Sequence, residues 1–294
     1  MTLVVAGFES DGTVVFCGDS LITTRSNGIS VKLTSSFRKI IPLEIIVRVP
    51  EFSPDGKITR YVDTTSWHRC MIAFAGSTLV SQHIINNIQG HLRRIKYTYD
   101  SGEYNYSEGR QNGAHYKLIM NCEDNKKVES TYWDEDVFNV PSESANDLLD
   151  KAFLIELFRH CIQDVMDKFY LNTSGSFESE WFASDFIVAF SCYKTKRNHI
   201  ITLKMNFHES AVNLVVEEID INELAIIGIS RYNKVINDSY QKNKSTLKTA
   251  DILFSEVIDA VKDNESADLR EIGKPVVLKK FDHHRELRDQ QKEW

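Results

Sequence analysis

At 294 residues and 42% hydrophobic content, the chain has enough apolar side chains for a substantial core, which excludes disorder throughout and suits one large domain with decorations. A net charge of −7 supplies no field that would attract nucleic acid or an anionic membrane surface. No apolar run reaches the length of a membrane span and no signal-peptide pattern opens the sequence, so a cytosolic protein is expected.

Residues 2–39 read as two hydrophobic hairpins. Leu3-Val4-Val5-Ala6-Gly7-Phe8 and Thr13-Val14-Val15-Phe16-Cys17 flank a turn with the Asp11-Gly12 signal, and a second excursion from Gly18-Asp19-Ser20 turns at Asn27-Gly28 and returns through Phe37-Arg38-Lys39. A threonine, an acid and a lysine then meet at one sheet end. A terminal threonine offers a hydroxyl nucleophile and, with Met1 removed, an α-amine to accept its proton; Lys39 paired with Asp19 would favour the reactive forms of both. For these residue types alone, an ordinary amphipathic hairpin with a surface acid and lysine is the alternative. Lys32 sits in the alternation Ser30-Val31-Lys32-Leu33-Thr34 and is expected to face solvent.

Residues 43–49 and 57–62 read as an extra hairpin around Ser53-Pro54-Asp55-Gly56. A buried strand over 69–75 breaks at Gly76-Ser77-Thr78, where a helix starts and runs to about Tyr97. Such a junction presents backbone N–H groups to developing negative charge, as an oxyanion hole requires; a plain tight turn is the alternative. Residues 100–113 read as a loop, followed by strands over 115–120 and 127–133, where Tyr104, Tyr106, Tyr132 and Trp133 would form a binding surface or cap the insert's own core. One long helix is expected from 142 to about 170, then antiparallel strands over 186–190, 199–205, 212–216 and 224–227, a helix over 247–262 and a short strand over 275–278.

The pieces Met1-Thr2-Leu3-Val4-Val5, Val14-Val15-Phe16-Cys17-Gly18-Asp19-Ser20, Arg38-Lys39-Ile40 and Met71-Ile72-Ala73-Phe74-Ala75-Gly76-Ser77-Thr78 stand in an order that resembles the N-terminal-nucleophile hydrolases of the proteasome β-subunit and HslV kind. The resemblance implies an α+β fold, a four-layer αββα sandwich of two mainly antiparallel sheets. It places Thr2 on the nucleophile, Asp19 on the acid after the first hairpin, Lys39 on the buried lysine and Gly76 on the oxyanion glycine. Leu224-Ala225-Ile226-Ile227-Gly228-Ile229-Ser230 resembles the family's later strand, with Ser230 near the amine, and Asp268 falls near the second acid. Phe74 would fill the specificity pocket from the strand face of Gly76, and Thr78 would line the substrate cleft.

This sequence departs from the family in three ways. With Thr2 as nucleophile the first hairpin is one residue longer than usual and calls for a bulge, whereas counting from Met1 it is two longer and keeps strand parity. Ile229-Ser230-Arg231 replaces Ser-Gly-Ser. Insertions are expected at about 42–68 and 102–144 in a single domain over 1–281, with a charged tail over 282–294.

The expected activity is a threonine-type peptidase acting on a peptide or protein substrate after Met1 removal. The alternatives are an inactive scaffold subunit and a small-molecule amidohydrolase. The resemblance further implies a homo-oligomeric ring and leaves open an ATP-dependent unfoldase as partner. No cofactor is implied. Asp282-His283-His284 reads as a solvated tail, the other histidines are dispersed and no Cys-x-x-Cys occurs, so no metal site is expected. The five cysteines, Cys17, Cys70, Cys122, Cys161 and Cys192, read as reduced thiols.

Overall fold

The two apolar runs at the start of the chain form β1 (Leu3–Phe8) and β2 (Val14–Asp19), and every residue of both strands is buried. The computed structural model describes residues 2–26, 29–64, 68–100, 102–105, 107, 110–112, 115–120, 122, 142–172, 182–208, 211–282 and 292–294. Met1, the Asn27-Gly28 turn, Tyr106, the strand expected over 127–133 with Tyr132 and Trp133, and His283-His284 lie outside the described residues. At the first turn the Thr13 N–H donates to Asp11 Oδ1 at 3.0 Å, the local side-chain bond that makes Asp a turn former.

The chain continues through the hairpin β3 (Ile22–Ser26) and β4 (Ile29–Thr34), then β5 (Ile40–Ile45), β6 (Val47–Phe52), β7 (Ile58–Asp63) and β8 (His68–Gly76). Helix α1 (Thr78–Leu92) leads to β9 (Ile95–Asp100), β10 (Glu103–Asn105), β11 (Arg110–Asn112) and β12 (His115–Ile119). Helices α2 (Ser142–Asp147) and α3 (Lys151–Asn172) precede β13 (Ser184–Cys192), β14 (Arg197–His208), β15 (Ala211–Ile219) and β16 (Ala225–Gly228). A 3-10 turn (Ser230–Tyr232), α4 (Asn233–Asn243), α5 (Thr249–Ser266), β17 (Val276–Phe281) and β18 (Lys292–Glu293) complete it.

Two five-stranded antiparallel sheets dominate, in the orders β16-β1-β2-β17-β18 and β15-β14-β13-β8-β5. Strand alternation divides their side chains. Val4, Ala6, Val14 and Phe16 of one sheet cluster with Met71, Ala73, Ile187 and Ala189 of the other. Leu3, Val5, Val15 and Cys17 face the opposite way, onto Ile236 and Tyr240 of α4 and Leu253 and Val257 of α5. Cys70, Ile72, Phe74 and Val188 pack on Ile84 and Ile88 of α1 and Leu154 and Phe158 of α3. Pro42, which has no N–H for a ladder, lies in β5 at a sheet edge. All five cysteines are free thiols. Among the described residues no helix is long and apolar enough to cross a membrane.

Several sequence expectations change. The run over 43–49 is not one strand: β5 pairs with β8 through Ile45, and β6 starts at Val47 in a separate four-stranded sheet ordered β12-β9-β6-β7. The first helix ends at Leu92, and residues 95–100 form β9, where Tyr97 is fully buried and stacks on Tyr116 at 5.3 Å. The expected loop over 100–113 contains the paired strands β10 and β11. The long helix is broken because Asp150 acts as a cap, its Oδ1 accepting the Phe153 N–H at 2.9 Å. Strand β16 does not continue the meander but crosses to pair with β1. Helix α4 was not anticipated; its core contribution is confined to Ile236 and Tyr240 in an otherwise polar segment.

Candidate active site at the end of the first hairpin

Strand β2 ends at Asp19, and the pairing Val4↔Gly18 puts Leu3 across from it. Asp19 Oδ1 accepts the Leu3 N–H at 2.9 Å, and Oδ2 accepts the N–H groups of Leu21 at 3.1 Å and Gly273 at 3.4 Å. Lys39 Nζ donates to both carboxylate oxygens at 3.0 Å and to the Leu21 carbonyl at 2.6 Å. The two side chains are 3% and 0% exposed, so the pair is out of water, and backbone donors and a carbonyl occupy the directions the pair itself leaves open. Burial pulls the Lys39 ammonium below the ordinary lysine range, opposed by the charge and hydrogen bonds of Asp19.

Local structure explains how these residues meet. The β3–β4 excursion closes where the Phe37 N–H donates to the Ser20 carbonyl at 3.0 Å, so Lys39 stands beside the end of β2. The next residue, Ile40, is opposite Ala73 in the other large sheet. The Lys39–Asp19 pair therefore links the two sheets. Lys32 is exposed on β4, as expected, although Val31 and Leu33 beside it are exposed as well, and it lines a different cavity with Asp268.

Thr2 is 5% exposed and immediately precedes the N–H held by Asp19. Its carbonyl accepts the Ile229 N–H at 2.9 Å. The β1–β2 pairing is continuous from Val4↔Gly18 to Phe8↔Val14, without the bulge expected of a one-residue extension. By alternation Thr2 shares the face of Val4 and Ala6, which look into the cluster between the sheets. Gly228 has φ of +100°, and a Cβ there would lie 1.8 Å from the Thr2 carbonyl oxygen. Only a residue without a side chain lets β16 approach this closely.

Gly76 ends β8 with φ of +111°, and a Cβ would meet the Ala183 carbonyl oxygen at 2.2 Å. The neighbouring Ser77 N–H is already donated to that carbonyl at 3.0 Å, so Ser77 does not replace Gly76 as the expected oxyanion donor. Thr78 is half-buried at the first position of α1.

Phe74 is a core side chain. It is 1% exposed among the residues beneath α1 and α3, with its ring edge-on to Phe37 at 6.2 Å. Phe37, which the sequence did not single out, lines a cavity of about 200 Å³ together with Asp19, Ser20, Lys39, Val277 and Lys279. Phe74 thus backs this wall through Phe37, whereas it was expected to point into a specificity pocket and fill it. Thr2 is not part of that wall. Replacing Phe74 with leucine is expected to lower stability by about 1–2 kcal/mol in denaturant unfolding, from lost packing.

Ser230 and Asp268 stand apart from the buried pair. Ser230 is exposed at the start of the 3-10 turn, and the backbone of Ile229 meets Thr2 in its place. Asp268 is exposed, accepts Arg270 Nε at 2.8 Å and Nη2 at 3.3 Å, and lines the cavity of about 550 Å³ that also includes Lys32. The later segment contributes Gly273 instead, presented by a loop that the fully buried Asn264 fixes through the Glu271 and Ile272 N–H groups at 3.0 and 3.4 Å. Leu3, Leu21 and Gly273 act through backbone atoms, which carry no residue-type signal.

No family model matches the chain, and no curated protein matches it. Among solved structures, Anbu (ancestral beta-subunit) from Yersinia bercovieri matches at 13% identity with a TM-score of 0.47, over 100% of this chain and 86% of that chain.

Proposed function

We propose that this chain is a threonine-type N-terminal-nucleophile peptidase with a proteasome-like αββα architecture. One observation carries the reading: a buried carboxylate, Asp19, holds the Lys39 ammonium and the first N–H after Thr2 at once. An ordinary surface ion pair would have no reason to be desolvated at that peptide. The three apolar clusters, one between the large sheets and one under each helix pair, support the four-layer arrangement.

In the proposed reaction Met1 is absent and the Thr2 α-amine takes the proton of the Thr2 hydroxyl as it attacks a peptide carbonyl. The charge of Lys39, oriented by Asp19, stabilises the developing alkoxide. The Gly76 N–H faces the oxyanion. Collapse passes that proton from the α-ammonium to the leaving nitrogen, expels the amine product and leaves an ester on Thr2, which water, losing its proton to the same α-amine, hydrolyses to the acid and the free enzyme. Assembly into a homo-oligomeric ring, feeding by an ATP-dependent unfoldase, a cytosolic location and a single domain over 1–281 with insertions belong to the same reading.

The test is the intact mass of the protein from its native host, followed by reaction with a peptide epoxyketone, which needs a free α-amine beside the hydroxyl. Loss of Met1 and a single adduct on Thr2 are expected, with labelling of Thr2→Ala reduced by more than about 10³-fold. Retained Met1 would place the amine on the wrong residue and overturn the reading. A second reading, a scaffold subunit of the same fold without the reaction, is favoured by the position of Ser230 and Asp268 outside the buried pair. It predicts no adduct.

A further inference from the structure

We propose that His91, Cys122 and His160 form a binding site for a divalent cation of the zinc class. The three come from separate elements, so no short spacing marks them in the sequence: His91 from the last turn of α1, His160 from the middle of α3, and Cys122 from just beyond β12. Each offers one ligand atom, and the three atoms lie within 4.8 Å of one another. Cys122 Sγ is 3.0 Å from His160 Nε2, and the two imidazoles are 5.5 Å apart at 82°. Around a tetrahedral zinc, bonds of about 2.0–2.3 Å bring such donors to roughly 3.3–3.6 Å from one another, so only small side-chain adjustments separate this cluster from a coordination sphere.

A thiol–imidazole hydrogen bond beside an edge-to-face ring pair is the simpler description, but it leaves a polar atom unexplained. His91 Nδ1 is buried without a hydrogen-bond partner among the described residues, an expense that a ligand would remove. Asp164, one helical turn after His160, supplies outer charge; its Oδ2 is held by Asn87 Nδ2 at 3.0 Å and Lys168 Nζ at 2.6 Å.

Two imidazoles and a thiolate make a borderline-soft donor set with one position left for water. Binding forms the metal–sulfur bond and releases the Cys122 proton to solvent. His91 lies at the opposite end of α1 from Gly76, about 20 Å along the helix axis. The cation would therefore pin α1, α3 and the end of β12 together and take no part in the reaction proposed for Thr2.

The experiment uses the full, untagged chain, stripped with chelator and titrated with Zn(II) and separately with Co(II). One zinc retained per chain after gel filtration is expected, with a Co(II) spectrum showing thiolate charge transfer and tetrahedral bands. Zinc should slow alkylation of Cys122 by more than about tenfold. Cys122→Ser should lose the charge-transfer band, and His160→Gln should weaken zinc binding by more than about tenfold, whereas His115→Gln, at an exposed position on β12, should bind as wild type. Absence of retained zinc in the wild type, or equal binding by Cys122→Ser and His160→Gln, would overturn the site. Alkylation of the folded wild type reads the same site without relying on any variant.

Discussion

Replacing Lys39 with alanine is expected to abolish electrophile labelling of Thr2 and to destabilise the fold by about 3–5 kcal/mol, a fall in midpoint temperature on the order of 10 °C. The stability loss follows from what remains. Asp19 keeps its bonds from the Leu3, Leu21 and Gly273 N–H groups but loses the one charged partner that a fully buried carboxylate has among the described residues. The exposed Lys32 is the control, and its alanine variant should stay within about 0.5 kcal/mol of wild type with labelling intact. The double variant Lys39→Met with Asp19→Asn removes both buried charges and should recover part of the stability but none of the labelling, separating the reactive role from the structural one.

A pH dependence follows with a defined sign. Burial lowers the Lys39 pKa on folding, so between its folded value and the ordinary lysine range the unfolded chain binds more protons. Wild-type stability relative to the double variant should therefore rise with pH across that alkaline window, and unfolding midpoints measured along it check the sign. Parallel curves would show that Lys39 titrates alike in both states.

Gly228→Ala is expected to be comparably damaging through geometry alone. The new methyl would lie 1.8 Å from the Thr2 carbonyl oxygen and 2.7 Å from its carbon, both backbone atoms that no rotamer change can move, at a φ of +100°. Strand β16 must then withdraw from β1, at about 3–5 kcal/mol in denaturant unfolding. Thr2 would lose the register set by Leu3↔Gly228, and a displacement of about 1 Å should slow labelling of the folded fraction about 100-fold. Gly90→Ala, a helical position with nothing within 4 Å of the added carbon, should be neutral or stabilising. Unchanged labelling in Gly228→Ala would show that the position of Thr2 does not depend on β16.

The parts of this protein that were legible in its sequence are those in which neighbouring residues make the decision. The apolar runs of residues 3–8 and 14–17 and the Asp11-Gly12 turn specified the first hairpin, and polar neighbours marked Lys32 as exposed where the apolar Ile40-Ile41 marked Lys39 as buried. Where the competing partners were distant, local pattern failed. The apolar run over 43–49 suits a single strand, yet at Ile46 it leaves one sheet for another because β8 and β9 each claim half of it. Residues 95–100 continue the apolar spacing of α1 but pair as a strand with β12.

The same division runs through the candidate site. Thr2, Asp19, Lys39 and Gly76 were singled out by residue type and by their order along the chain, and the structure brings two of them, Asp19 and Lys39, into contact at 3.0 Å. What only the tertiary structure decided is which groups surround them. Gly273 rather than Asp268 reaches the carboxylate, Ile229 rather than Ser230 meets Thr2, and Phe37 rather than Phe74 faces the cavity. Glu9 of the first turn likewise caps α5, accepting the Thr249 and Ala250 N–H groups at 2.9 and 3.3 Å, because no side chain at the helix's own start does so. The physical reason is common to all four. A backbone N–H or a packed ring has the same identity everywhere in the chain, and its role is set by which distant segment comes within about 3–4 Å once the two sheets have closed.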